Sequence, residues 1–592
     1  MGGVAPVNGS KVRWARLAVV ALTFLAAVGY GVLVPLGEAP DEPGHYNYAR
    51  ILASEGRLPT SEEEHEAFQP PLYYALAAPL VGLGDVTRLP LLANSDFTLE
   101  ADGPSFLLVH TAEERFPYAG WAAGWHLMRL LSAVLGAVTA YSLFQVGLLI
   151  SGGSVSAALL GAGALVLMPQ FSLVHGAATN DSLALALGSL LVAQVVLAAL
   201  APRPRRRLVA LGLLWGLAAL AKVSMLAAGP GIALALWTGH RRTPLATRAR
   251  ASALDVLAVG LGLAVACGWW FARSMLLYGD PLAWELVAAT NAVREGAVTW
   301  LADLYGLHRS YWLGYVGMRL PTWFHVITAI LSAGAWLGLG VALRRSREDL
   351  TPDRRGTLRL LAPVLLLYAA AFLVSWVRWA LAVMGTDQAR LLYPAAAAVV
   401  PLLAAGVVSL VPVPRRRWLG PAGVAVLCLV NLYGLTAGVL PVFRASPQVS
   451  PEAVPGAHAS VTFGGKLELL AWEVPAEVTA GEDAALRLWW RANAPLGAET
   501  WLTVRLVDAQ GSVIAWRQGT PDGGPYTPDC WTPGAVIAGR RTLPVPTEAP
   551  PGRYRVEVGV QPLGGGDWWP AEADGERSDV WALAELEVRA PQ

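Results

Sequence analysis

From near its start to about residue 440 the chain is a succession of long apolar runs, and beyond that it breaks into short alternating segments. Runs near 16–36, 121–150, 155–175, 181–200, 208–223, 225–239, 251–276, 322–343, 358–380, 393–412 and 418–440 approach the ~20 residues that cross a ~30 Å hydrocarbon core. They predict a polytopic α-helical membrane protein of about eleven spans. The first run, from Arg16 to about Leu36, could pass for a secretory signal, but no small-residue cleavage pattern follows it and it reads as retained. The stretch 208–239 reads either as two short spans or as one broken span. In the tail the period changes to two: 467–472, 485–489, 501–507 and 554–560 alternate apolar with polar residues, and 508–512 reads as a hairpin loop before a strand through Trp516. Regularly spaced short strands predict a β-sandwich of immunoglobulin-like type over 458–592, joined by the linker 444–457 to a membrane domain over 1–443.

Charge sets the orientation. Basic residues gather at Lys11, Arg13 and Arg16, at Arg203 with Arg205, Arg206 and Arg207, at Arg241, Arg242, Arg248 and Arg250, at Arg344, Arg345, Arg347, Arg354 and Arg355, and at Arg415, Arg416 and Arg417. With eleven spans and a cytoplasmic N-terminus, all five clusters fall on the cytoplasmic side. That arrangement favours two spans in 208–239. It puts the loops 37–120, 277–321 and 381–392, and the β-rich tail, on the extracytoplasmic side. Only 15% of residues are charged and 55% are hydrophobic, against roughly 25% charged in soluble proteins. Soluble enzymes, disordered chains and nucleic-acid binders are thereby excluded. The net charge of +1 gives no bulk field to recruit acidic partners. Cys267, Cys428 and Cys530 lie too far apart for a metal or disulfide framework.

Candidate chemistry concentrates in the first outer loop, 37–120, which is long enough to be functional or disordered. Asp41 and Glu42 follow the first span directly, and Pro43 suits the first turn of a helix running on through Ala49, Ile51 and Leu52. A carboxylate there could cap the helix, or it could accept a proton from a hydroxyl at the bilayer surface. His45 falls on the same helical face as the acidic pair. With His65 further along the loop, an Asp/His site leaves a divalent ion open, though no metal is expected to be required. Further on, Gln69-Pro70-Pro71-Leu72-Tyr73-Tyr74 enters a short apolar segment over 75–83, which reads as an interfacial helix. Lys222, Arg273 and Arg390 lie at the outer ends of spans, and each could snorkel, anchor at the interface or hold a phosphate. Lys222 stands out because the chain has only two other lysines, Lys11 and Lys466.

Taken together, the acidic pair, Leu58-Pro59 and the Gln69–Tyr74 run resemble the first outer loop of the GT-C glycosyltransferases that use lipid-phosphate sugars, of the protein mannosyltransferase and aminoarabinose transferase type. The resemblance extends in weaker form to Thr179-Asn180-Asp181, Leu220-Ala221-Lys222, Trp270-Phe271-Ala272-Arg273, Tyr278-Gly279-Asp280-Pro281 and Arg390-Leu391-Leu392-Tyr393-Pro394, and it covers roughly 15–440. It implies an inverting glycosyltransferase in a bacterial cytoplasmic membrane, moving a sugar from a polyprenyl-phosphate donor to a hydroxyl of a glycan, lipid or protein. By this resemblance Asp41 is the base and Glu42 its support. His45, Gln69, Tyr73, Tyr74, Lys222, Arg273, Arg390 and Tyr393 bind substrate. Two other readings stay open. One is a transporter or flippase of lipid-linked sugar, although no internal repeat is visible. The other is a surface protein whose tail binds a partner through Trp489 and Trp490 or Trp568 and Trp569, residues that also fit a sandwich core or edge.

Overall fold

A computed structural model describes residues 9–97, 106–294, 296–345, 352–455, 460–563 and 565–591. Arg347 of the fourth basic cluster and residues 456 and 457 of the expected linker lie outside them. The chain divides into two compact units. The first comprises residues up to Val34, Ala39–Leu89 and Gly120–Val439, and the second comprises Pro35–Glu38, Pro90–Ala119 and the chain from Leu440 onward.

The first unit is helical. In chain order it contains α1 (Gly9–Leu33), α2 (Glu42–Glu55), α3 (Leu72–Val81), α4 (Gly120–Ile150), α5 (Val155–Val166), α6 (Pro169–His175), α7 (Asn180–Leu200) and α8 (Arg205–Ala221). It continues with α9 (Gly229–Gly239), α10 (Leu245–Tyr278), α11 (Trp284–Ala289), α12 (Trp300–Trp312), α13 (Thr322–Arg345), α14 (Pro352–Ala382), α15 (Tyr393–Leu410) and α16 (Val413–Tyr433). Among the described residues eight helices are long and apolar enough to cross a membrane, or nine if α5 and α6, bent by 65°, form one span. The expectation of eleven counted two further runs, which are α8 and the Val223–Gly239 segment. They are helical but short. The 17 residues of α8 rise only about 25 Å, less than the ~30 Å core.

Small residues let these helices approach closely, as expected where lipid supplies no hydrophobic drive between them. A Cβ on Gly212 of α8 would lie 1.9 Å from the Val259 carbonyl oxygen of α10, and one on Gly262 would lie 2.1 Å from that of Val209. Each basic cluster borders a helix end. In α1, α7, α8 and α15 the opposite end carries or adjoins Asp41, Asp181, Lys222 or Arg390, respectively.

The second unit is β-rich, and the alternation read from the sequence decides what it buries. One sheet runs Val513–Gly519, Thr500–Val507, Gly552–Pro562, Trp581–Arg589, Glu477–Thr479, antiparallel except for its last pair. The other sheet has seven strands, with Leu467–Glu473, Asp483–Ala492 and Val536–Pro544 adjacent near its centre. Leu486, Leu488 and Trp490 from one sheet and Leu502, Val504, Val556 and Val558 from the other belong to a single core. Trp490 is fully buried there and Trp489 nearly so. Trp568 and Trp569 are half-buried, under Arg505 and Lys466 respectively.

Two pieces of the first outer loop fold with this unit. Glu38 accepts hydrogen bonds from the backbone N–H groups of Leu107 (2.9 Å) and Leu108 (2.7 Å). His110 pairs with the tail segment around Tyr526 through backbone bonds to Pro525 and Thr527. Its imidazole lies between Glu114 (2.9 Å) and Glu38 (3.2 Å). Burial alone would push this imidazole down, but the two carboxylates outweigh it and push it up to about 9. A free histidine titrates near 6.5, so the clamp stabilises the fold fully below that pH and is lost as pH rises through about 9. We expect alkaline titration to destabilise this unit by roughly 3 kcal/mol in all, and so to lower its thermal midpoint. In His110→Gln the pH dependence over that window should flatten.

Candidate active site

The turn from α1 into α2 is set by local chemistry. Asp41 adopts the left-handed conformation (φ 58°, ψ 9°), uncommon for a residue other than glycine although aspartate tolerates it better than most. Pro43 sits in the first turn of α2, as expected. The Asp41 carboxylate makes no capping bond to its own helix. Its Oδ2 instead accepts from Arg390 Nη2 at 2.6 Å.

Arg390 lies in the 3-10 turn Ala389–Leu392 that leads into α15. Its Nη1 donates to Asp181 Oδ2 at 2.9 Å and its Nε to Gln388 Oε1 at 2.8 Å. Asp181, in the first turn of α7, also pairs with Lys222 at the end of α8. Two carboxylates and two cations, contributed by the ends of four different elements, thus form one ionic chain. Asp181, Lys222, Arg390 and Tyr393 line a narrow cleft there. Burial opposes ionisation of Asp41, but the Arg390 guanidinium outweighs it and holds the carboxyl below its usual range. The Asp41 side chain remains 42% exposed, whereas those of Arg390 and Asp181 are buried.

Glu42, one residue on, points elsewhere. It is fully buried, and Oε1 accepts from Trp125 Nε1 (3.0 Å), Arg129 Nε (2.6 Å) and the Ala178 N–H (2.8 Å), while Oε2 accepts from Arg129 Nη2 (2.6 Å). Arg129 also donates to the carbonyls of Gly31 and Val34 at the end of α1. A carboxylate so saturated fixes the α1–α2 turn against α4.

The other sequence candidates divide. His45 is buried and hydrogen-bonds through Nδ1 to the Tyr74 hydroxyl at 2.8 Å, and Tyr74 stacks on Tyr48. Burial pushes the His45 imidazole down, against the pull of Glu66, Asp41 and Asp181. Gln69 accepts from the Asn180 amide at 3.1 Å, which ties the proline-rich entry of α3 to α7. Tyr73 is wholly buried, with its hydroxyl 2.8 Å from Ser132 of α4. Arg273 lies over the Trp270 ring at 5.0 Å, and no described residue of the ionic chain bonds to it. Tyr393 is buried, and its hydroxyl has no hydrogen-bond partner among the described residues. No group of three or more His, Cys, Asp and Glu side chains among the described residues is arranged to hold a metal ion.

The strap before Arg390 hangs on a residue that the sequence did not single out. Ser310 of α12 donates to the Asp387 carbonyl (2.9 Å) and accepts from the Ala389 N–H (2.8 Å). Ser310→Ala leaves both backbone groups unpaired, at a cost of about 1–3 kcal/mol. Hydrogen exchange across 385–392 should rise about tenfold or more, while α4 and α7 stay protected. Asp181 and Arg129 also escaped selection as site residues. Each sits within a strongly apolar run, where an ionisable side chain is itself a signal.

No family model matches the chain, and no curated protein does. Solved structures give likenesses at low identity over much of its length. ArnT from Cupriavidus metallidurans bound to undecaprenyl phosphate is 18% identical, with a TM-score of 0.43 over 69% of this chain. This chain spans only 63% of that protein's length. The same protein in the apo state is 18% identical over 73% of this chain and 74% of its own, with a TM-score of 0.42. The Archaeoglobus fulgidus oligosaccharyltransferase, in complex with Zn and sulfate, is 12% identical over 72% of this chain and 52% of its own, with a TM-score of 0.33.

Proposed function

We propose that this chain is an inverting glycosyltransferase that moves a sugar from a polyprenyl-phosphate donor to a hydroxyl acceptor at the outer face of a membrane. The observation that carries the reading is the 2.6 Å contact between Asp41 and Arg390, continued through Asp181 to Lys222. It joins a partly open carboxylate to two cations at one cluster of helix ends, and basic residues occupy the other ends of those helices. Since positive charge favours the cytoplasm, the reading assigns the ionic chain to the extracytoplasmic side.

The chemistry is a single displacement. The acceptor oxygen bonds to the anomeric carbon, the bond from that carbon to the phosphate oxygen breaks, and the configuration inverts. Asp41 takes the acceptor's proton. Arg390 and Lys222 hold the negative charge that gathers on the departing phosphate. Glu42 positions the base through the α1–α2 turn, and His45, Gln69, Tyr74, Arg273 and Tyr393 shape the surrounding site.

Protein reconstituted in vesicles, given a polyprenyl-phosphate sugar and a hydroxyl acceptor, tests this. Transfer with inverted anomeric configuration is the expected result. Movement of the lipid-linked sugar across the bilayer without transfer would replace this reading with a flippase.

A further inference from the structure

Each of the three nitrogens of the Arg390 guanidinium gives one hydrogen bond. Nη2 binds Asp41, Nη1 binds Asp181 and Nε binds Gln388. The Arg390 side chain is only 6% exposed and the open Asp41 carboxylate sits on its Nη2, so an anion approaching from the exposed side meets this arginine where Asp41 already lies. The two carboxylates are unequal. Asp181 is 7% exposed at its side chain and also holds Lys222. Asp41 is 42% exposed, has Arg390 as its ion-pair partner, and gives no bond to its own helix. A newcomer displaces the carboxylate with fewer ties and an open approach.

We propose that a lipid-linked phosphate and the Asp41 carboxylate compete for the same edge of Arg390, so that arrival of the phosphate releases Asp41. The inference rests on the site's reading as a lipid-phosphate-dependent transferase, and it adds an order of events to that reading. No covalent bond changes in the exchange, because one charge-assisted contact replaces another on the same Nη2. Its consequence is chemical. Beside Arg390 the carboxylate is a weak base, already engaged by a cation. Released, it faces His45 from α2 and Lys222 from the end of α8, the latter already paired with Asp181, and it is free to accept a proton. The base becomes competent only when a donor is bound, so an acceptor arriving alone meets a masked carboxylate.

The test is a binding cycle on the full chain in lipid nanodiscs, with undecaprenyl phosphate and undecaprenol as probes. Their affinity ratio isolates the contribution of the phosphate. Asp41→Asn should raise the ratio about tenfold by removing the competitor, and Arg390→Gln should lower it about a hundredfold. In the double variant the gain from Asp41→Asn should vanish. An equal gain in both backgrounds means that Asp41 merely repels the phosphate, and it overturns the exchange. No gain, or a loss, from Asp41→Asn overturns it as well. A ratio near one in both the unaltered chain and Arg390→Gln removes the phosphate from this site altogether, and the inference falls with the functional reading. Loss of undecaprenol binding in Arg390→Gln would mark a misfolded variant, and a second measurement then decides. At about pH 4, binding of undecaprenyl phosphate should take up protons as released Asp41 regains its proton affinity. The buffer dependence of the calorimetric enthalpy reads that uptake. The same uptake in Asp41→Asn overturns the proposal.

Discussion

Replacing Asp41 by asparagine should lower the rate of sugar transfer by about 10²–10⁴-fold, the usual contribution of a positioned general base. Asparagine keeps the shape of the side chain and tolerates the left-handed backbone that this position adopts. It cannot accept the proton. The loss should therefore appear in turnover at saturating donor. Stability should hardly change: the Asp41–Arg390 pair is partly open to solvent, and such pairs are worth about 0–1 kcal/mol. Arg390 also keeps Asp181 as a partner. Initial rates and a thermal melt on the same sample check both halves. A variant that retains full turnover removes Asp41 from the reaction.

The neighbouring carboxylate should behave in the opposite way. Glu42→Gln neutralises the fully buried acceptor of four hydrogen bonds and leaves the Arg129 guanidinium, 3% exposed, without its counter-charge. Breaking such a pair from one side costs about 3–5 kcal/mol. The expected outcome is a strongly lowered thermal midpoint and poor recovery of monodisperse protein in detergent. A Glu42→Gln chain that melts like the unaltered protein would show that the Arg129 contacts to Gly31 and Val34 hold the α1–α2 turn unaided. Adjacent in sequence, the two acids diverge because the left-handed residue turns the backbone between them. One carboxylate emerges toward α15 and the other enters the packed face of α4.

Much of this was visible in the one-dimensional pattern. Apolar runs announce themselves because a membrane demands ~20 such residues in a row, and every expected run is helical. The alternation in the tail foretold its strands because one face of each must meet the core. Asp41 and Arg390 were each noticed from short motifs at the ends of apolar runs. Their contact joins residues 349 positions apart, which no local period encodes. Arg129 stayed hidden because a hydropathy window averages a single charge into its apolar neighbours, and Asp181 was noticed only within the fragment Thr179-Asn180-Asp181, with no sign of its cationic partners. Of the eleven expected runs, eight or nine are helices of span length and composition, while α8 and Val223–Gly239 fall short of the ~20 residues that a window looks for. The first outer loop was read as one piece, yet residues on either side of Pro90 fold with different units. The partners that decide this, such as Pro525 and Thr527 for His110, lie over 400 residues downstream.

That divided loop constrains how such a protein can evolve. A terminal module that folds by itself can be gained, lost or traded in one recombination event. Here Glu38 and His110 are encoded near the start of the gene, while Pro525 and Thr527, to which His110 is bonded, are encoded near its end. A crossover near codon 440 would transmit the sheets and leave behind the buttress that completes them. The two stretches should therefore be inherited together, and an exchange of tails between lineages should succeed only when the matching insertion in the first loop travels with it.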